Sequence, residues 1–401
     1  MGLTVKKNTA VGVEIEDTEG TYKAPQATTS YIQTLQDGFE LSQTKEIVER
    51  NVFTSSIGKT SPRSGMFLAG GTIPAEMRAN STEGNAPEID KLMRSALGDR
   101  HQITSETTTE ASQNAGADLN TASLLLIGDL DIGKFEVGDI VKVKQSGAHH
   151  VSPISAVDDT IGLARITLLI PKPTGVFSPS VVISKSTTYI VADSGHAPLS
   201  ISKYIENAVR EYAVGCKVTT MSLEQFSTGQ LPQISFGFEG LNFDRSLTAP
   251  PFTPAYNAGL PPIMMDGRVY MDAGAIDVNE ITVSLENTLG FVTSIAAPNG
   301  RVSSRVTDRA ITGTFNPYKQ DNSIANFTKY KAGTPFSLFA YGKVPSSTAG
   351  EFDQVIAIYM PNCVITEMGE ADQDGILQDS ITFSADRGVT GSIPEIYIAF
   401  I

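Results

Sequence analysis

Apolar and polar positions alternate in short runs along most of this chain. From Thr72 to Arg78, Ile73, Ala75 and Met77 point one way while Thr72, Glu76 and Arg78 point the other, the pattern of a half-buried strand. Ile281, Val283 and Leu285 alternate with Thr282, Ser284 and Glu286, and Phe336, Leu338 and Ala340 repeat the rhythm. Val11–Ile15, Phe39–Val48, Phe135–Val143 (after a tight turn), Arg165–Ile170, Thr188–Val191 and Ile396–Ile401 read as further strands. A terminal apolar strand invites aggregation unless something pairs with it. One stretch has a different period. Ile89, Leu92, Met93, Ala96 and Leu97 fall on one stripe of a helix, with Pro87 suited to the first turn and Gly98 to the stop. Such a helix is expected to pack across an open sheet face.

A second pattern lies over the first. Tyr212, Cys216, Val218, Thr219 and Met221 reappear as Tyr359, Cys363, Ile365, Thr366 and Met368, each pair 147 residues apart. Past a loop, Ile234, Ser235 and Phe236 match Ile381, Thr382 and Phe383 at the same offset. This period is too long for a solenoid or propeller, so the repeated unit is a whole domain. The repeat also settles an ambiguity. Ser200–Tyr212 has helical features, but its counterpart Glu351–Tyr359 is rich in Val and Ile, so both are read as extended. If Thr72-Ile73 corresponds to Thr314-Phe315, the first copy is longer by about 90 residues, close to the span 103–195, which predicts a small β-domain inserted there. Five prolines between residues 248 and 262 mark a semi-rigid linker between the copies.

Composition supports a β-rich protein: Gly, Thr, Ser, Val and Ile are abundant, and charged residues make up only 18%. The net charge of −14 disfavours a nucleic-acid-gripping or anionic-lipid-binding module, but suits a surface that DNA slides past without sticking. The two cysteines sit at repeat-equivalent points a domain apart, so they are expected to be buried thiols rather than a disulfide. No stretch approaches the roughly 20 apolar residues of a membrane span, and the first residues lack the apolar core of a signal peptide. The expected product is soluble and made in the cytoplasm.

Candidate chemistry is sparse. His101, His149, His150 and His196 lack metal-ligand spacing and are read as surface-loop residues. Asp372, Asp374 and Gly375 hint at a calcium loop, but its twelfth position is Phe383, so a polar hairpin turn is expected. There is no phosphate-cradling loop and no nucleophile elbow. The reading is therefore no enzyme, no cofactor and no metal. A charge pattern is more informative. Asn51–Ala75 and Asn287–Thr307 contain no acidic residue but carry Lys59 and Arg63, and Arg301 and Arg305. These are read as two equivalent basic loops on an acidic body, docking onto acidic faces of other subunits.

Several segments resemble the major tail tube proteins of long-tailed bacteriophages, in a tandem-duplicated form. Glu14–Pro25 resembles the family's opening strand and turn. Gly71–Arg78 with the helix Glu88–Leu97 resembles its strand-then-helix unit. Gly215-Cys216-Lys217-Val218 resembles a recurrent strand start, and Val278–Asn287 the strand that opens the later half. Their order along the chain is the stronger part of the likeness, and the insertion departs from it.

The resemblance implies a mainly β fold: two tandem tail-tube-like β-sandwich or barrel domains with few helices, plus the small inserted β-domain. The expected boundaries are 1–102 with 196–247 for the discontinuous first domain, 103–195 for the insertion, 248–262 for the linker and 263–401 for the second domain. It implies self-assembly into trimeric pseudo-hexameric or hexameric rings that stack into a tube with an acidic, DNA-conducting lumen. It also implies tape-measure and tail terminator or tip proteins as partners, DNA passing without specific binding, no membrane, assembly in the host cytoplasm and a final place in the virion tail. The insertion is expected on the outer surface, since it would block DNA in the lumen. The repeat positions Tyr212, Cys216, Met221, Tyr359, Cys363 and Met368 are expected to be structural. Two rival readings are another ring- or shell-forming particle protein, such as a capsid decoration or secretion-system tube subunit, and a carbohydrate-binding adhesin module.

Overall fold

The computed structural model describes residues 8–55, 57–110, 121–160, 164–178, 180–206, 209–265, 267–297, 299–320, 322–388, 391 and 393–401. The first half opens with β1 (Thr9–Ile15) and β2 (Tyr31–Ile32), then the hairpin β3 (Glu40–Val48) and β4 (Arg63–Glu76). Helix α1 (Asp90–Leu97) leads into β5 (Gly98–Ile103). Six short strands follow: β6 (Thr107–Thr108), β7 (Leu124–Leu126), β8 (Ile140–Lys144), β9 (His150–Asp158), β10 (Arg165–Leu168) and β11 (Val182–Ile183). The chain returns through β12 (Ser186–Val191) to β13 (Leu199–Ile205), β14 (Val209–Ser227), β15 (Gln233–Gly240) and β16 (Asn242–Leu247). The second half holds β17 (Arg268–Met271), β18 (Gly274–Ile276), β19 (Val278–Thr293) and β20 (Arg301–Pro317). It ends with α2 (Asn322–Ala332), β21 (Phe336–Pro345), β22 (Phe352–Gln373), β23 (Ile376–Ala385) and β24 (Tyr397–Phe400). The fold is mainly β, with curled antiparallel sheets.

The two halves share one pairing scheme. β4 lies between β3 and β15, and β15 pairs β14; β20 lies between β19 and β23, and β23 pairs β22. β14 shifts register between Val218 and Thr220, and β22 shifts between Ile365 and Glu367, positions 147 residues apart. A bulge bends a strand. Each long strand thus passes from one sheet layer to another, where β14 meets β13 and β16, and β22 meets β21 and β24. The cross-strand series Leu41, Gly71, Phe238 in the first half corresponds to Val283, Gly313, Phe383 in the second. Thr72-Ile73 therefore matches Thr314-Phe315, as the sequence suggested. The match of Ile234–Phe236 with Ile381–Phe383 is displaced by two: Phe236 opposes Ile73 where Ile381 opposes Phe315. A two-residue displacement keeps every side chain on its face, so the hydrophobic pattern does not reveal it.

β14 also pairs β19, so β3-β4-β15-β14-β19-β20-β23-β22 form one unbroken eight-stranded run. Its inner rung Ile73, Phe236, Met221, Leu285, Ile311 crosses the joint between halves and is buried throughout. α1 covers this core with Leu92, Met93, Ala96 and Leu97, and Ser95 Oγ accepts the Val218 N–H at 3.2 Å. Its Gly98 stop has φ +97°, a conformation open to glycine.

The six short strands form a separate sheet, ordered β6-β11-β8-β9-β10-β7, while the β5 and β12 strands that bracket it belong to the large sheet. Its strands and loops enclose a small core around Leu125, Val141, Ile154, Ile166 and Phe177. Ile140, Val151 and Ile170 then pack on Phe339, Val355, Tyr359 and Tyr397 of the second half. Along β22, Ile356, Ile358 and Met360 enter the main core, while Val355, Ala357 and Tyr359 face the insertion. Burial on both faces explains the unbroken apolar run there. The C-terminal strand is no spare edge: β24 is buried between β12 and β22.

Three local expectations change. The strand expected from Phe135 starts only at Ile140, because Val137-Gly138 turn with Gly138 at φ +95° and Asp139 accepts the Glu136 N–H. Helix α2 was not foreseen; its stripe of Ile324 and Phe327 is largely exposed, so it lacks the dense core signature of α1. The histidines are not all surface-loop residues: His101 lies on β5 and His150 on β9, while His149 and His196 do lie in loops but are half-buried. His150 is buried with Nε2 2.8 Å from the Ile170 carbonyl, and His196 and His149 likewise meet backbone oxygens. A ring with an apolar body buries readily once its nitrogens are matched. Residues 248–262 run without regular structure along the first half, where Asn257 Nδ2 donates to the Ala79 carbonyl and Ala255 N to the Thr28 carbonyl.

Candidate assembly surfaces

Strand alternation places the eight-stranded run's other side toward solvent. One rung reads Glu40, Thr72, Gly237, Thr220 and, across the joint, Glu286. The next reads Pro74, Ser235, Ser222, then Ser284, Thr312 and Ser384. A third joins Glu76, Gln233 and Glu224. These rungs carry hydroxyls and carboxylates and no Lys or Arg, a surface to which a polyanion finds nothing to bind.

The hairpins β3–β4 and β19–β20 project from the end of this run. Arg63 opposes Val48 and Arg305 opposes Gly290, equivalent places in the shared register, and both side chains are exposed. Lys59 is exposed on the connection 49–62. Arg301 is only half-exposed, its guanidinium 3.6 Å from the Phe291 ring centre. Arg63 opens β4, and Arg301 and Arg305 lie on β20, so of the four basic residues only Lys59 lies in a loop. The structure adds what the charge pattern missed: Phe53 and Ile57 on one tip and Ile295 on the other stand fully exposed. Two adjacent projections with apolar tips and basic flanks are suited to docking on another protein surface.

A family model described as phage tail tube protein matches residues 6–385. The chain belongs to the phage tail tube protein family. It is thus a structural subunit of a phage tail tube and a virion component. A search of curated proteins finds no match.

Within this tail tube fold, the repeat positions do similar work in different surroundings. Cys216 and Cys363 are free and buried shortly before their bulges, and burial, helped by nearby carboxylates, pushes both thiols upward in pKa. Met221 is buried at the internal joint opposite Leu285; Met368, its equivalent, is half-buried at an edge. Tyr359 is held between Phe339 and Tyr397 beneath the insertion. Tyr212 instead meets Tyr22 and the Arg210 guanidinium, and its hydroxyl donates to Asp244 at 3.0 Å. Asp374 and Gly375, both at positive φ, make the β22–β23 turn, and Gly375 N donates to Asp372 Oδ1.

Proposed function

We propose that the chain polymerises into rings that stack into a hollow tube, with the acidic face of the eight-stranded run lining a lumen through which DNA passes. The observation that carries this reading is that run itself: a continuous sheet crossing both halves, apolar on one side, acidic and hydroxylated on the other, whose ends, β3 and the last part of β22, are paired on one side only among the described residues. Closing such a sheet on itself removes its edges. Following the resemblance, three chains with two units each make a ring of six units. The two hairpins then reach the neighbouring ring through their apolar tips and through Lys59, Arg63, Arg301 and Arg305. The insertion stands on the outside, because it packs on the layer that separates it from the eight-stranded run. Tape-measure and tail terminator or tip proteins complete the tail.

Negative-stain electron microscopy across a concentration series tests this. Hollow tubes built of rings with a threefold outline and six inner lobes are expected. Dispersed monomers at every concentration overturn it.

A further inference from the structure

The joint inside the chain has the form of a joint between chains. β14 and β19 meet edge to edge where the first half ends and the second begins. Their repeat equivalents, β22 and β3, stand at the two ends of the same run. Among the described residues, β3 pairs only with β4, and the Thr366–Gln373 part of β22 pairs only with β23. Resting on the tube reading above, the geometry points to a second copy of this chain docking there in one register: Thr44 opposite Glu367, Gln43 opposite Met368 and Ser42 opposite Gly369.

The register follows from the internal one. Thr220 opposes Glu286, Met221 opposes Leu285 and Ser222 opposes Ser284. Met221 corresponds to Met368 through the matching bulges, and Leu285 to Gln43 through the matching rungs at Gly71 and Gly313. Transferring each pair gives the register stated. The internal Thr–Glu pair at 220 and 286 returns as Glu–Thr at 367 and 44, so the same two side chains meet with the strands exchanged.

The helices supply a second, independent observation. The last turn of α1 is held from across the joint: Asn287 of β19 donates from Nδ2 to the Ala96 carbonyl at 2.9 Å and the Val218 carbonyl at 3.2 Å. Among the described residues no such amide reaches α2, which exposes Ile324 (76%) and Phe327 (51%). At the opposite end, β3 exposes Ile47 (60%) and Val48 (51%). In the docked copy Ile47 and Val48 take the places that Leu289 and Gly290 hold at the internal joint. Docking also sets Lys45 where Asn287 stands, a cation beside helix C-terminal carbonyls.

Paired cysteines test the register. Thr44→Cys with Glu367→Cys, oxidised after assembly, is expected to link chains into closed covalent rings on a non-reducing gel. Thr220→Cys with Glu286→Cys is the internal control and should link within one chain. Thr44→Cys with Gly369→Cys, displaced by two, should link about tenfold less, since diagonal neighbours lie near the limit a disulfide spans. Cys216 and Cys363 are buried and add no background. Tubes in which the displaced pair links as well as the aligned one, or in which neither links while the control does, overturn this joint. Microscopy of the same sample separates that result from failure of the tube reading, which would show no rings at all.

Discussion

Asn287 Nδ2 donates to the carbonyl of Ala96 at 2.9 Å, so a strand of the second half holds the last turn of a helix in the first. The same amide reaches Val218, and the side chain is buried. Replacing it with Leu strands two carbonyls at the joint. The expected cost is about 1–3 kcal/mol, the penalty for a buried polar group left unpaired. Chemical denaturation should show a lower midpoint for Asn287→Leu; an unchanged midpoint would mean that the joint does not depend on this amide.

Gly71 and Gly313 occupy equivalent rungs, and neither tolerates a Cβ. At Gly313 it would lie 2.5 Å from both the Thr282 carbonyl oxygen and the Phe383 ring; at Gly71 it would strike the Glu40 carbonyl and come within 2.9 Å of the Phe238 ring. Both obstacles include backbone, which cannot step aside as a flexible side chain can. Gly71→Ala and Gly313→Ala should each destabilise the fold by about 1–3 kcal/mol, the range for overpacking. Gly133→Ala meets nothing within 4 Å and serves as the control. Equal melting curves for all three variants would refute the argument.

The histidines give stability a dependence on pH. Burial, only partly offset by hydrogen bonds to backbone carbonyls, pulls His149, His150 and His196 below the ordinary imidazole value. Their contribution is complete above the unfolded value of about 6.5 and is lost as pH falls through the lowered values. His101 runs the other way: its hydrogen bond to Asp139, against some desolvation, raises its pKa, so its contribution is complete below about 6.5 and fades as pH rises through the raised value. Three groups against one predict a falling melting temperature between about pH 7.5 and 5.5. His150→Gln should flatten that slope. A melting temperature that rises on acidification would contradict the balance.

Much of this fold was legible in the sequence because its signals are local. Alternation marked the strands around Ile73 and Ile281, the stripe from Ile89 marked α1, and the 147-residue offset from Cys216 to Cys363 matched the two long strands, though not the bulges in them. The pairing of β14 with β19 was not legible, since alternation names a face but not the neighbour across an edge. Helix α2 escaped because the apolar residues that would mark it point outward. The basic residues at 63 and 305 could be named, but the exposure of Phe53, Ile57 and Ile295 beside them depends on how far the hairpins stand off the body. Charge spacing carries no such information.

Those basic residues yield the sharpest test of stacking. Arg63 and Arg305 share a register position at the base of the two hairpin projections, and Lys59 and Arg301 lie further toward the tips. The body they would meet is acidic, with a net charge of −14 for the chain. Reversing Lys59, Arg63, Arg301 and Arg305 to Glu sets like charges against each other, so tube formation should fail. Lys59, Arg63 and Arg305 are exposed, and Arg301 gives up only its place over the Phe291 ring, so the fold should persist by circular dichroism. Raising salt should weaken wild-type stacking in the same direction, because exposed charges are screened beyond about 8–10 Å at moderate ionic strength. The apolar tips provide the contrast: Phe53→Ser with Ile295→Ser removes buried area but no charge, and should weaken stacking with little salt dependence. If the charge-reversed protein assembled normally while the tip variant did not, the joint between rings would belong to the apolar tips alone, and the basic residues would be ordinary surface.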